Sequence, residues 1–361
     1  MELNHIFSRF EIVGDFVGFE KLTSGNINET YLVSAKRNEN VSRFVIQKIN
    51  GYVFHNPQRL MKNVIEVTNH IRRKLSGSNR QREVMQFIPA KNKLPYFIDD
   101  LGNYWRAYKY IDDSITFEET DDLSIIEETG KAFGKFQLLL SDFDVNRLFD
   151  TIPKFHDTEK RFIDLFESAE NDVCGRKNTV LKELEYLMSK QKYASFFTEK
   201  LRKGELCNRV THNDTKFDNV LFDKFSRKAL TVIDLDTVMS GLVAYDFGDG
   251  ARSICSTSCE DERDHRKIDF DLDKFKAFAK GFLSKTSNTL TVNEISTLYM
   301  SPYVLTLELG ARFLKDYLDG DLYFSCDYEL HNLDRAENQI VLSKRIYDKL
   351  DIIKNIVDEL K

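Results

Sequence analysis

In THNDTKFDNVLFD, residues 211–223, His212, Asp214 and Asn219 form the pattern H-x-D-x-x-x-x-N, and a further carboxylate, Asp234 in VIDLD, follows fifteen residues after the Asn. An amide oxygen and a carboxylate converging from two loops are hard oxygen donors, the set that Mg²⁺ accepts beside water and phosphate oxygens. Asp214 would then be free to take or orient a hydroxyl proton. One Asp on the acceptor, with an Asn and a second Asp on the metal ions that bridge the phosphates, is the division of labour of kinase-type phosphoryl transfer. Such a site works mainly by positioning and charge neutralisation, so a few rigidly held oxygens suffice. His-Asn-Asp alone would equally suit a turn capping a strand. The chemical reading rests on the conjunction: the Asn runs straight into a strand, a turn follows, and a second strand ends on an Asp flanked by apolar residues.

These residues need elements to carry them. The first 112 residues are strand-rich: ETYLVSA, RFVIQKIN and NYWRAYKYI hold the β-branched and aromatic residues that suit a half-buried pleated surface. Between them Leu60, Val64, Val67 and Ile71 recur at helical spacing and predict one helix crossing the sheet. After YKYIDDS, residues 108–114, the period changes. Ile125, Thr129, Phe133, Phe136 and Leu140 mark one apolar helix face, and helical patterns recur at 157–171, 178–203, 271–284, 293–318 and 333–360. The convincing strands of this half are NVLFD and ALTVID, which flank the polar cluster. The expectation is an α+β chain with a small β-rich N-terminal lobe, 1–112, and a larger, mostly helical lobe, 113–361.

Composition narrows the classes further. The 361 residues carry a net charge of -6 and a pI near 5.8, which speaks against nucleic acid as partner, since that calls for a basic face. No run of eighteen apolar residues occurs and the start, MELNHIFSRFEIVG, lacks the pattern of a secretory signal, so a cytoplasmic protein with no membrane partner is expected. Cys174, Cys207, Cys255, Cys259 and Cys326 are odd in number and scattered, which predicts reduced thiols rather than a disulfide framework or a zinc site. For assembly the expectation is a monomer or a weak homo-oligomer.

THNDTKFDNVLFD followed by LTVIDLDTVMSGLVAYDFGDGAR resembles the aminoglycoside phosphotransferase and choline kinase superfamily, whose members have the bilobal protein-kinase-like fold. The resemblance implies Asp214 as catalytic base, Asn219 and Asp234 as Mg²⁺ ligands, and ATP between the lobes. Asp246, Phe247 and Gly248 also spell DFG, the metal motif of protein kinases. Asp246 lies twenty-seven residues past Asn219, too far for a single hairpin, so the metal is assigned to Asp234 and Asp246 to a structural hydrogen-bonding role. FVIQKIN, TIPKFHDTEKRF, VCGR, VTHNDTK, VIDLDTVMSGL, YDFGD, EDERD and TLELGARFLKDYLDGDLYF, spread over residues 44–324, are similar to the N-acetylhexosamine 1-kinases. That similarity implies an ATP-dependent enzyme phosphorylating the anomeric hydroxyl of N-acetylglucosamine or N-acetylgalactosamine.

On the nucleotide side, LTSGNINETYLV offers Ser24, Gly25 and Asn26 as a loop over phosphates, although one glycine falls short of G-x-G-x-x-G and an ordinary hairpin turn is the alternative. The family's strand Lys would stand at Gln47, with Lys48 beside it; alternation lets only one of the two reach the phosphates. On the acceptor side Asp236 would point the same way as Asp234, or else cap the next turn. The resemblance adds Arg312, Tyr323 and, more weakly, Thr237. A charge inside the apolar helix YVLTLELGARFL needs a partner, and Glu308 one turn earlier is the structural alternative. His156 either joins the site or belongs to a helix cap. Between Arg312 and Arg335, inclusive, six acidic residues face three Lys or Arg, a surface that would welcome a cation such as choline or an aminoglycoside. A choline, amino-acid or aminoglycoside kinase is therefore the rival within the superfamily, and the Gln at 47 motivates a second rival, a non-catalytic nucleotide-binding regulatory module.

Overall fold

The computed structural model describes residues 3–22 and 27–361. In chain order the elements are α1 (Leu3–Phe7), β1 (Asp15–Leu22), β2 (Glu29–Arg37), β3 (Asn40–Lys48), α2 (Pro57–Lys74), β4 (Phe87–Ile88), β5 (Phe97–Ile98), β6 (Tyr104–Lys109), β7 (Ser114–Ile115) and α3 (Leu123–Leu139). There follow α4 (Thr158–Asn171), α5 (Leu181–Lys190), α6 (Phe196–Arg202), β8 (Arg209–Thr211), β9 (Val220–Asp223), β10 (Ala229–Val232), β11 (Met239–Gly241), α7 (Val243–Cys255), α8 (Leu272–Thr286), α9 (Val292–Thr297), α10 (Ser301–Asp319), α11 (His331–Asp348) and α12 (Leu350–Glu359). This is the α+β class expected, with an antiparallel sheet early and helices late. The chain folds into two compact units that do not divide at a single point: the first holds 1–116, 142–153 and 219–240, the second 117–141, 154–218 and 241–361. Asn219 and Asp234 therefore group with the N-terminal sheet, although they lie far beyond residue 112 in sequence.

In the first unit the sheet runs β1-β2-β3-β6-β4, all antiparallel, with β5 also pairing β6. Because side chains alternate across a strand, the register Gln47↔Arg106 and Thr30↔Gln47 sets Thr30, Gln47 and Arg106 on one face, while Ile46 and Ala107 take the other. That other face is dry: Val33, Phe44, Ile46, Trp105 and Ala107 pack with Leu3, Ile6 and Phe7 of α1. The helix predicted to cross the sheet is α2, with Leu60, Val64, Val67 and Ile71 all buried. Asn56 caps it through Arg59 N (3.0 Å), and Pro57 opens it, where a missing N–H costs nothing. Asn63 is fully buried on this helix and joins the later pieces of the unit: its amide donates to Phe149 O (2.7 Å) and Val238 O (2.9 Å) and accepts from Phe149 N (2.9 Å).

In the second unit the predicted α3 face is buried in full, from Ile125 to Leu140. Helices α3 and α8 meet so closely that glycine is required at the contact: a Cβ on Gly130 would stand 2.2 Å from Phe278 O, and one on Gly281 2.1 Å from Glu127 O. The long helical pattern over 293–318 is broken into α9, one 3-10 turn and α10, because Pro302 cannot continue a helix but starts one well. All five cysteines are free thiols. Among the described residues no helix is long and apolar enough to cross a membrane.

Candidate active site

In the second unit, β8 leads into a loop at 212–216 in which His212, Asn213 and Thr215 are buried while the Asp214 side chain keeps 37% of its surface exposed. The backbone either side of Asp214 is tied to the first turns of α7. Asp246 accepts the N–H groups of His212 (2.9 Å) and Asn213 (2.8 Å), and its second donor on the same oxygen as His212 is the Gln137 amide at 2.7 Å. Asp249 accepts Thr215 N at 2.9 Å, and Thr215 Oγ1 donates back to Asp246 O at 2.7 Å. Burial pushes the Asp246 carboxyl above its ordinary pKa, against His212 and these N–H donors. Asp249 goes the other way: burial opposes ionisation, but Arg252 at 2.9 Å, His156 and the Thr215 N–H together outweigh it and hold the carboxyl below the ordinary range. Asp246 thus has the structural hydrogen-bonding role expected of it, and its partners include the loop that presents Asp214. Lys216 Nζ stands 3.9 Å from Asp214 Oδ2.

Of the acceptor candidates, His156, Arg312 and Tyr323 lie in the same unit, whereas Asp236 and Thr237 belong to the first. Glu308 does not pair with Arg312; His156 Nδ1 (2.8 Å) and the Thr158 hydroxyl (2.7 Å) engage it instead. The helix cap falls to Asp157, which accepts Lys160 N at 3.1 Å, and His156 Nε2 lies 3.3 Å from Asn213 O, so His156 is bonded to the loop that bears Asp214. The Arg312 guanidinium stacks among Phe155 (4.9 Å to the ring centroid), Phe324 (5.4 Å) and Tyr323 (6.0 Å), with no ion pair or hydrogen bond among the described residues. Arg161 is close by: burial first and then the Arg312 charge lower its pKa. Asp316 fixes the segment that carries Tyr323, accepting the N–H groups of Leu322 (3.1 Å), Tyr323 (2.8 Å) and Phe324 (2.9 Å). Arg176, in VCGR, holds Tyr317 O (2.7 Å) and Asp321 (2.6 Å).

In the first unit, Ile233 N donates to Asn219 O at 2.9 Å, which extends the β9–β10 ladder at its open end and pairs Asn219 with the residue before Asp234. Asp234 adopts left-handed backbone, φ 57° and ψ 63°, and opens a 3-10 turn over Leu235–Thr237. The Asp236 carboxylate is buried and committed: Arg106 grips both oxygens (Nη2 to Oδ2 3.1 Å) and Asn28 Nδ2 donates to Oδ2 at 2.7 Å. Thr237 is buried in the same turn. Of the neighbours Gln47 and Lys48, only Gln47 shares this face: its Nε2 donates to Thr30 Oγ1 (3.0 Å) and its Oε1 accepts Arg106 Nε (2.9 Å), while Lys48 Nζ pairs with Glu29 at 3.1 Å. Ser24, Gly25 and Asn26 lie outside the described residues. Asn219 and Asp234 bring one amide and one carboxylate oxygen, a small hard donor set that suits Mg²⁺ with its retained waters and phosphates. Among the described residues no cluster of three or more His, Cys, Asp or Glu offers a closed cage.

Sequence reasoning missed Arg106, Gln137, Asp249 and Arg252. The available signal was Arg106 itself, a charge in YWRAYK between Trp105 and Ala107 on a strand buried on both faces.

Residues 18–278 match the profile of the phosphotransferase enzyme family, APH. The chain belongs to that family. Solved phosphotransferases share the fold over nearly the whole chain. An aminoglycoside phosphotransferase from Alicyclobacillus acidocaldarius superposes with a TM-score of 0.63 at 13% identity, covering 98% of this chain and 96% of that one. Choline kinase from Cryptosporidium parvum gives 0.57 at 15% identity, covering 98% and 96%. A spectinomycin phosphotransferase in complex with ADP and spectinomycin gives 0.55 at 13%, covering 97% of each chain. The protein is a small-molecule phosphotransferase of the aminoglycoside phosphotransferase and choline kinase superfamily.

Proposed function

We propose that this phosphotransferase moves the γ-phosphoryl group of ATP to the anomeric hydroxyl of an N-acetylhexosamine, N-acetylglucosamine or N-acetylgalactosamine, giving the sugar 1-phosphate. The observation that carries the acceptor class is the setting of Arg312. An ammonium acceptor needs aromatic faces open to it and carboxylates left to balance it. Here Phe155, Tyr323 and Phe324 are turned on Arg312 instead, and Arg161 adds a second guanidinium. The acidic residues nearby are largely committed: Asp316 to backbone N–H groups, Asp321 to Arg176, Asp319 to Lys315 and Asp334 to Arg263. A cationic, aromatic-walled site with unused N–H donors suits a neutral ring rich in hydroxyls and an acetamido oxygen.

In this reading Asp214 accepts the proton of the attacking hydroxyl, and its loop is kept rigid by Asp246 and Asp249. Asn219 and Asp234 hold Mg²⁺, which when bound to the nucleotide neutralises phosphate charge. ADP in the spectinomycin phosphotransferase complex supports an adenine nucleotide as donor. Arg312 and Tyr323 orient the sugar; Asp236 and Thr237 act through the turn they share with Asp234.

The test is an acceptor screen with ATP and Mg²⁺, read by phosphorus NMR to locate the modified hydroxyl. Phosphorylation at the anomeric position of either N-acetylhexosamine is the expected result. ATP turnover with choline or homoserine, and none with either sugar, would establish the amine or amino-acid kinase reading. Nucleotide binding without turnover on any acceptor would point to a regulatory module.

A further inference from the structure

We infer that Arg106 is a positioning residue of the nucleotide and metal half-site. From strand β6 it clamps the Asp234–Thr237 turn through a guanidinium whose charge is balanced by Asp236. The inference rests on the reading of Asp234 as a metal ligand. Arg106 and Asp236 each leave 3% of the side chain exposed, and their contact is bidentate. The hydrogen bonds of the cluster stay within the same unit: Nε goes to Gln47, Gln47 goes on to Thr30, and Asn28 donates to Asp236 and accepts Asn50 N at 2.9 Å.

Stability alone is a poor reason for such a pair. Taking two ions out of water offsets most of their attraction, and replacing both by apolar residues of like volume is often neutral. What the pair does fix is the turn. Asp234 sits at φ 57°, a conformation that a residue with a Cβ keeps only where its surroundings over-determine it. Two residues later the guanidinium fork seizes Asp236, so the turn cannot relax without breaking a buried ion pair. The aim of the Asp234 carboxylate is thereby set from the sheet. The same fork orders Gln47, so the β3 position where a lysine is expected serves here as an uncharged link.

The experiment compares ADP affinity, read by fluorescence of a labelled ADP, in EDTA and in saturating Mg²⁺. The ratio isolates what the metal adds and needs no acceptor. Two variants are measured beside the parent: Arg106→Met/Asp236→Leu, which removes both charges together, and Arg106→Lys, which keeps the charge but loses the fork. Both are expected to keep the metal-free ADP affinity, while the enhancement by Mg²⁺ falls about tenfold or more, the effect usual when an outer partner of a metal ligand is lost. A folded variant with the parental enhancement overturns the inference, since a merely structural pair would lower the melting temperature and leave the ratio alone. If the double variant does not fold, Arg106→Lys decides by the same criterion. A parent without any Mg²⁺ enhancement would instead remove Asp234 from the metal, a different failure that this ratio reveals by itself.

Discussion

The carboxylate of Asp246 accepts the backbone N–H of Asn213 at 2.8 Å, one residue before Asp214. The DFG Asp of this chain is thus a support for the loop that bears the candidate base. Asn213 itself sits at φ 65°, so the loop is strained at the point where Asp246 grips it. Asp246→Asn replaces two acceptor oxygens by one, and three N–H donors then compete for it. Exchange of the His212 and Asn213 amides should accelerate about tenfold or more as this loop opens locally, with a matching fall in kcat and no change in ADP affinity. Parental exchange in a variant with lost activity would mean that Asp246 acts otherwise.

Asp214→Asn should lower kcat by about 10²–10⁴-fold, the usual contribution of a positioned general base, with little effect on nucleotide affinity. Stopped-assay kinetics with ADP binding measured alongside separate the two. A kcat near the parental value would remove Asp214 from the reaction.

Arg312→Ala leaves Glu308 with its partners His156 and Thr158, so the fold should tolerate the change. Loss of hydrogen bonds from a charged donor to the sugar predicts a rise in acceptor KM of about 10–100-fold, with kcat for ATP turnover much less affected. An unchanged KM would place the acceptor elsewhere.

Asp99 offers a pH test within the first unit. Burial raises the carboxyl, but the Trp105 indole (2.9 Å), the Asn103 side chain and backbone, and Leu101 N (2.9 Å) hold it down, to about 2 from an ordinary 3.8. A carboxyl depressed on folding contributes stability above its unfolded pKa, and the contribution vanishes as pH falls through the folded value. Asp99→Asn should therefore melt below the parent at neutral pH, and the gap should close between pH 4 and about 2. A gap that stays constant across that window would show that lost packing, not ionisation, is responsible.

Local pattern made much of this chain legible. The α3 face and the α2 face are buried as their spacing predicts, and NVLFD and ALTVID pair as the β9–β10 hairpin. What periodicity does not carry is the identity of distant partners. Arg106 meets Asp236 across 130 residues, and His156 meets Glu308 across 152. In the acidic run after Arg312 the charge is visible in the sequence, while the commitment of Asp316 to three backbone N–H groups is not.

The interleaving of the two units has a consequence for biogenesis. Asn63 has its hydrogen-bond partners at 149 and 238, and Arg106 its counter-ion at 236, so the N-terminal sheet leaves the ribosome well before the segments that satisfy its buried amide and guanidinium. Domains fold as units during synthesis when their parts are contiguous; here the first must wait until residue 240 has emerged, with two of the three segments of the second, 117–141 and 154–218, translated in between. A fragment stopped near residue 112 would carry an uncompensated buried cation and is a poor candidate for separate expression.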